Sequence, residues 1–338
     1  MSKIHFLNVD EGDCSIIEHE NEHITMIDIC CGNIVEEYIA KAFSSIMAKE
    51  GVKGNFNQKE HPNNPISYLR KIGVTSIFRY IQTHPDMDHM DGLDELSKSF
   101  PIYNFWDIQN NKQQDFGENG TSGRYLKKDW DCYCKLRKSK DSPKALFYLD
   151  GASDKYFSED DNGIKKDDYL KILSPTKALI EAANEQGDWN DSSYVILYVT
   201  HGFKVLFCGD SDMETITHLK RNHKDDISNI DVLIAPHHGR DSDKDFGFLD
   251  IMKPRLTLMG NAKSKFLAYD EWNNRGLEHF TNNQVDNVLI EFDDKAMHVS
   301  VSNKTFADKY CKQSWNHDSP HNISHDGYWR LFQIRSKR

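Results

Sequence analysis

No stretch of the chain approaches the ~20 consecutive apolar residues that a membrane-spanning helix needs. No charged-then-apolar leader opens it either. Neither membrane insertion nor secretion is expected, and the expected location is cytoplasmic. Cysteine is scarce: there are seven, an odd number that does not suit a disulfide framework. Cys30 and Cys31 are adjacent, which is poor geometry for a mutual bridge. Cys132 and Cys134 have one residue between them, not the two to four of a zinc knuckle. Reduced thiols are expected. Positive charge is in deficit, with 42 basic against 53 acidic residues and a formal charge of -11. That argues against a broad phosphate-binding surface, but leaves open a nucleic acid held by metals and a local basic patch. A mean hydropathy of -0.70 beside 38% hydrophobic residues points to an ordinary core carrying long solvated insertions.

What is present reads as alternating strands and helices. Strand-like runs occupy 4–9, 14–18, 24–28 and 76–81. Helical spacing covers 34–50, 66–72 and 93–100. Residues 109–168 show no sustained period and hold most of the charge runs, so they are expected to be an insertion with partial local structure. Strands return at 169–173, 193–199, 204–208, 232–235, 255–259, 288–292 and 297–301, with a helix over 212–221. The turn at His201-Gly202 reads as a hairpin. Two strand clusters, each interleaved with helices, give a layered α/β protein with two sheets packed face to face and helices outside. The expected division is a domain over 1–304 and a polar C-terminal extension over 305–338.

Three segments carry chemistry, and each follows an expected strand. The first is Thr83-His84-Pro85-Asp86-Met87-Asp88-His89-Met90-Asp91-Gly92. Four potential ligands within six residues can aim imidazoles and carboxylates at two neighbouring points, as a pair of cations ~3.5–4 Å apart requires. A solvated aspartate turn capping the next helix has no need of the two histidines. The second is Gly209-Asp210, after an apolar run. A carboxylate there is costly to bury unless paired or metal-bound, although capping of the next helix is a comparable alternative. The third is Pro236-His237-His238-Gly239, whose histidines fit one ligand and one acid or supporting group.

These segments together resemble the metallo-β-lactamase superfamily, and more narrowly the hydrolase domain of the ComEC/Rec2-type DNA-uptake proteins. Asn8 through Ile17 resembles that branch's V-G-Q-G-D-x-x-x-I opening, with departures at Asp10 and Glu11. Met26-Ile27-Asp28 resembles the supporting aspartate, and residues 83–91 the H-x-D-x-D-H motif. Asn190-Asp191-Ser192-Ser193 resembles a segment where other members place a metal-binding histidine. Phe207 through Asp210 resembles the bridging-aspartate strand, and residues 236–239 the P-H-H-G-S motif, with Arg240 in place of serine. The resemblance frames residues 1–300. It implies an αββα sandwich of two mixed sheets with helices outside, and a centre of two divalent ions, Zn²⁺ or Mn²⁺ with Mg²⁺ as a further option. By it, His84 and Asp86 hold one ion, Asp88 and His89 the other, Asp210 bridges, and His237 completes the set with His238 as alternate. Asp88 and His238 are the catalytic candidates. The absence of a histidine at 190–193 leaves the first ion a thin, oxygen-rich ligand set, which favours Mn²⁺ or Mg²⁺.

The activity implied is hydrolysis by a metal-bridging hydroxide. The substrate expected is a phosphodiester in DNA or RNA, with protein partners in DNA processing or defence. Alternatives are a small ester, thioester or lactam, or a non-catalytic metal-binding module. Three further features are weighed. Seven basic residues between Lys127 and Lys144 are interleaved with Trp130 and Tyr133. That pattern could stack a single strand, but a solvated face is preferred because Asp129, Asp131 and Asp141 dilute the charge. His317, His321 and His325 recur every four residues, and Pro320 argues against a helix there. Lys263 and Lys265 are candidates to face a phosphate.

Overall fold

The computed structural model describes residues 1–34, 55–165, 167–242, 245–313 and 324–336. The helical spacing over 35–50, and the residues His317 and His321, lie outside the described residues. Strands β1 (Ser2–Phe6), β2 (Ser15–Glu18), β3 (Ile24–Ile27), β4 (Ile77–Ile81) and β5 (Ile102–Trp106) begin a large sheet. A small hairpin of β6 (Thr121–Ser122) and β7 (Tyr125–Leu126) follows, and then β8 (Lys144–Leu146). A second sheet takes β9 (Tyr169–Ser174), β10 (Val195–Thr200), β11 (Phe203–Phe207), β12 (Val232–Ile234), β13 (Leu256–Met259) and β14 (His279–Thr281). The chain then returns to the first sheet with β15 (Val288–Phe292), β16 (Ala296–Val301), β17 (Ser324–His325) and β18 (Tyr328–Arg335).

The first sheet has ten strands in the order β17-β18-β16-β15-β1-β2-β3-β4-β5-β8, and the second has six in the order β14-β13-β12-β11-β10-β9. Both mix parallel and antiparallel pairs: β3-β4-β5-β8 and β11-β12-β13-β14 run parallel, and the rest antiparallel. Because side chains alternate along a strand, each sheet buries two faces. Ile196 and Tyr198 of β10 and Phe203, Val205 and Phe207 of β11 meet Ile4, Phe6, Ile17 and Ile81 between the sheets. Their neighbours Val195, Leu197 and Leu206 turn outward, onto Ile216, Leu219, Phe248 and Trp272 of the outer helices. On the other side Met26, Tyr80 and Phe105 turn onto Leu69, Leu93 and Leu96. Three apolar layers therefore separate four structural ones, helix–sheet–sheet–helix, as expected.

Among its described residues, segment 109–168 carries one helix, three short strands and a 3-10 turn. The helix Lys127–Leu136 packs Trp130, Tyr133 and Leu136 into the apolar layer beneath helix Leu93–Ser99. A helix of ten residues is marginal alone, but burying three large side chains at ~1.5–3 kcal/mol each stabilises it. Tyr133 keeps its hydroxyl satisfied by donating to Asp107 Oδ1 at 2.7 Å. Trp130 and Tyr133 are thus core residues and offer no exposed stacking platform. In the C-terminal segment β18 pairs antiparallel with β16, and His325 lies in β17, not on a helix.

Candidate metal centre

The three chemical segments leave the C-terminal ends of β4, β11 and β12, and backbone bonds tie their loops together. His237 N–H donates to Gly209 O at 2.9 Å, and Tyr194 N–H to Thr83 O at 3.0 Å. The loop after β4 is clamped by Gln82, whose amide donates to His84 O at 2.8 Å and His89 O at 3.0 Å. A 3-10 turn over Met87–His89 then brings Asp88 and His89 to the same side. Gly92, at φ 102°, closes the loop against Gly32, where an added Cβ would fall 2.3 Å from the Gly32 Cα.

Asp88, His89, Asp210 and His238 each offer a ligand atom, all within 4.8 Å of one another. His89 Nε2 stands 3.2 Å from Asp210 Oδ1, and His238 Nε2 3.4 Å from Asp210 Oδ2. His84 stacks obliquely on His89 with ring centres 4.2 Å apart. Four buried atoms here, His84 Nε2, His89 Nε2, Asp210 Oδ1 and His238 Nε2, have no hydrogen-bond partner. Burying such a group unpaired costs ~1–3 kcal/mol, so several converging on one point fit a cation that would accept their lone pairs. The donor set of imidazoles and carboxylates suits Zn²⁺ or Mn²⁺.

The imidazoles are aimed from behind. Asp28, fully buried at φ 56°, accepts from Thr83 N–H at 2.8 Å and from the Thr83 hydroxyl at 2.6 Å. Its Oδ2 also meets His89 Nδ1 at 2.8 Å. That contact puts a proton on Nδ1 and leaves Nε2, 3.2 Å from Asp210 Oδ1, as the atom that carries either a second proton or a cation. Asp13 does the same for His238, with Oδ1 at 3.1 Å from Nδ1. Burial opposes charge on His89 and His238, but the facing carboxylates outweigh it. Asp210 and Asp28 hold His89 well above its ordinary range, and Asp210 and Asp13 raise His238 to about 10. His84, buried and beside His89, is pushed down to about 3. Burial works against ionisation of Asp210 too, yet His238, His89 and His237 hold it well below the usual carboxylate range. For Asp88 burial wins, aided by the Asp210 charge, and its carboxyl is raised.

Of the tandem histidines, it is His238, 1% exposed, that joins the compact group. His237 is further from Asp210, at 3.7 Å, and its Nδ1 faces Asp212 at 3.3 Å and Ser242 at 3.1 Å. Asp86 stands apart from the group because its Oδ1 accepts from Lys112 Nζ at 2.6 Å. Burial opposes its ionisation, but His84 and Lys112 hold it below the ordinary range. Lys112 itself lies over the Trp189 ring, 5.0 Å from its centre. Asp191, in the segment that lacks the histidine, is spent on the helix Met213–Asn222: Oδ1 accepts from Asp212 N–H and Thr215 N–H, both at 3.0 Å.

Two groups near the site had no signal in the sequence. Lys112 sits in a segment without period. Arg124, on the β6–β7 hairpin, contacts Asp10 and lies 3.6 Å from Cys30 Sγ. Beside the same loop, Lys263 lines an open groove of about 290 Å³ with Asp10, Glu11 and Lys59. Lys265 lies over the Phe266 ring. The cysteines that are described are all free thiols.

By sequence, no family model and no curated protein matches the chain. Among solved structures it is similar to the metallo-β-lactamase fold protein YhfI from Bacillus subtilis, at 8% identity and a TM-score of 0.45, over 83% of this chain and 95% of that one. It is also similar to Tm1679, a metal-dependent hydrolase of the β-lactamase superfamily, at 12% identity and a TM-score of 0.48, over 87% and 100%. A third is the CmlA β-hydroxylase, at 12% identity and 0.47, over 86% of this chain and 54% of that one. The chain itself forms a four-layer αββα sandwich of two mixed sheets. Among the described residues no helix is long and apolar enough to cross a membrane.

Proposed function

We propose that this chain is a metal-dependent hydrolase acting on phosphodiesters, with a DNA or RNA strand as substrate, and that it stands near the ComEC/Rec2-type branch. The observation that carries the reading is the convergence of His89 Nε2, His238 Nε2 and Asp210 Oδ1, buried without hydrogen bonds in one compact group with Asp88, and with His84 packed beside His89. Asp28 and Asp13 hold two of those rings in the tautomer a cation needs. Bound there, divalent ions would polarise a phosphoryl oxygen and lower the pKa of a water, which is the chemistry that phosphodiester hydrolysis requires.

The rest falls to the protein. Lys112 and Arg124 bring positive charge to the rim of a centre that is otherwise acidic, which suits an anionic substrate held locally by a chain of charge -11. Asp88 offers a carboxylate to orient the attacking water, and His238, backed by Asp13, a group to steady the developing charge. Metal-stripped protein incubated with single- and double-stranded DNA, RNA and bis(p-nitrophenyl) phosphate, with Mn²⁺, Mg²⁺ or Zn²⁺ added separately, tests the proposal. Cleavage that depends on metal and is lost in Asp88→Ala supports it. Hydrolysis of a small thioester or lactam, with no phosphodiester cleaved, would overturn the substrate class.

A further inference from the structure

We propose that Asp150, His218 and His223 form a second cation site, made of residues outside the centre above, which takes a Zn²⁺-type divalent ion and clamps segment 109–168 to the helix that follows Asp210. His218 stands in the helix Met213–Asn222 and His223 is its C-cap residue. Asp150 lies beyond β8, in a loop fixed to the second sheet by Asp150 N–H donating to Pro175 O at 2.8 Å and Gly151 N–H to Ile172 O at 3.2 Å.

The geometry converges on one point. Asp150 Oδ2 is 3.1 Å from His218 Nε2 and Oδ1 is 2.9 Å from His223 Nε2. All three residues offer ligand atoms within 4.8 Å of one another, and the rings meet edge to face, 5.4 Å between centres. Ligands around a tetrahedral zinc at ~2.0–2.1 Å stand roughly 3.3 Å apart, so little movement would admit an ion. Leu173 O, hydrogen-bonded to His218 Nε2 at 3.2 Å, is placed to serve as a fourth ligand.

The pairing of His223 with Asp150 is close but is not a hydrogen bond. His223 Nε2 and Asp150 Oδ1 are both buried atoms without a hydrogen-bond partner. The His89 Nε2 and Asp210 Oδ1 pair at the principal centre has the same property. An ion between the two atoms would relieve the ~1–3 kcal/mol that each costs when buried unpaired. The far side of the His223 ring is held as metal-binding histidines usually are: Nδ1 meets Asp226 Oδ2 at 3.1 Å, and Lys171 Nζ holds Asp226 at 2.7 Å. The Asn222 amide lies 3.0 Å from His218 Nδ1 and can present its oxygen there by turning over. Two imidazole nitrogens with one carboxylate form a donor set for zinc.

None of the three residues belongs to the centre that carries the proposed activity, so this site stands or falls separately. The chain is stripped of metal, dialysed against Zn²⁺ alone, and its zinc per chain measured by mass spectrometry. His223→Gln and Asp150→Asn should each bind about one equivalent fewer than the wild type, with phosphodiester hydrolysis within about twofold of it. Circular dichroism shows whether each variant is folded. Zinc-edge anomalous scattering from wild-type crystals gives a readout that needs no variant, and should place a peak among Asp150, His218 and His223. Folded variants that bind as much zinc as the wild type, or crystals with a peak at Asp210 and none at Asp150, would overturn the proposal.

Discussion

Replacing Asp28 with Asn tests how the centre is aimed while changing almost no volume. Asp28 presents only acceptors, to Thr83 N–H, to the Thr83 hydroxyl and to His89 Nδ1. An asparagine keeps one acceptor oxygen and turns the other position into a donor. The Thr83 hydroxyl can rotate and accept from it. Thr83 N–H cannot, so the amide oxygen must stay on that side and the new NH₂ must face His89. His89 then accepts on Nδ1 and carries its proton on Nε2, where the lone pair toward Asp210 is lost. Changes of this kind behind a ligating histidine cost 10–100-fold in metal affinity, about 1.4–2.7 kcal/mol. Competition against a chromophoric chelator measures it, with circular dichroism to show that the fold persists. Zinc affinity within twofold of the wild type in a folded Asp28→Asn variant would refute the reasoning.

Lys112→Met keeps an unbranched stem and removes the ammonium from both Asp86 and the face of Trp189. KM for an anionic phosphodiester should rise about tenfold, ~1.4 kcal/mol, with kcat less affected in steady-state kinetics. Gly12→Ala would place a Cβ 2.2 Å from Asp88 O and 2.8 Å from Cys30 Cβ. Overpacking against backbone of this kind costs about 1–3 kcal/mol, so a lower denaturation midpoint and weaker metal uptake are expected together. Burial opposes ionisation of Asp168, but His19 and the Glu20 N–H outweigh it and hold the carboxyl below its ordinary range. A depressed carboxyl contributes stability above the unfolded value of about pH 4, and loses it as pH falls through the folded value. Asp168→Asn should therefore cost about 1–3 kcal/mol at pH 7 in urea denaturation, and the gap should narrow below about pH 4.

Much of this site was legible because its residues are contiguous and follow strands with clear patterns. His84 through His89, Asp210 and the His237-His238 pair could be found by reading along the chain. What could not be read was which histidine of that pair turns inward. Both adopt positive φ, 50° and 57°, and the ring that wins is fixed by Asp13, 225 residues away. The ion pair that sets Asp86 apart comes from Lys112, in a segment with no period to place it. The helix Lys127–Leu136 has no clear sequence signal because its charged residues hide five buried positions, Trp130, Tyr133 and Leu136 among them, behind a solvated face. Strand β5 was passed over although it sits inside the first sheet, since Tyr103 and Asn104 interrupt its apolar run. The layered class survived these omissions because the alternation in β10 and β11 defines two buried faces without help from the insertion.

The most direct test of the central claim is phosphodiester hydrolysis measured against bound metal per chain, in the wild type and in Asp210→Ala. The rate should climb with occupancy of the centre, and a folded Asp210→Ala chain should neither fill it nor cleave. A fully loaded wild type that cleaves no phosphodiester, or an Asp210→Ala variant that keeps the wild-type rate, would contradict that claim.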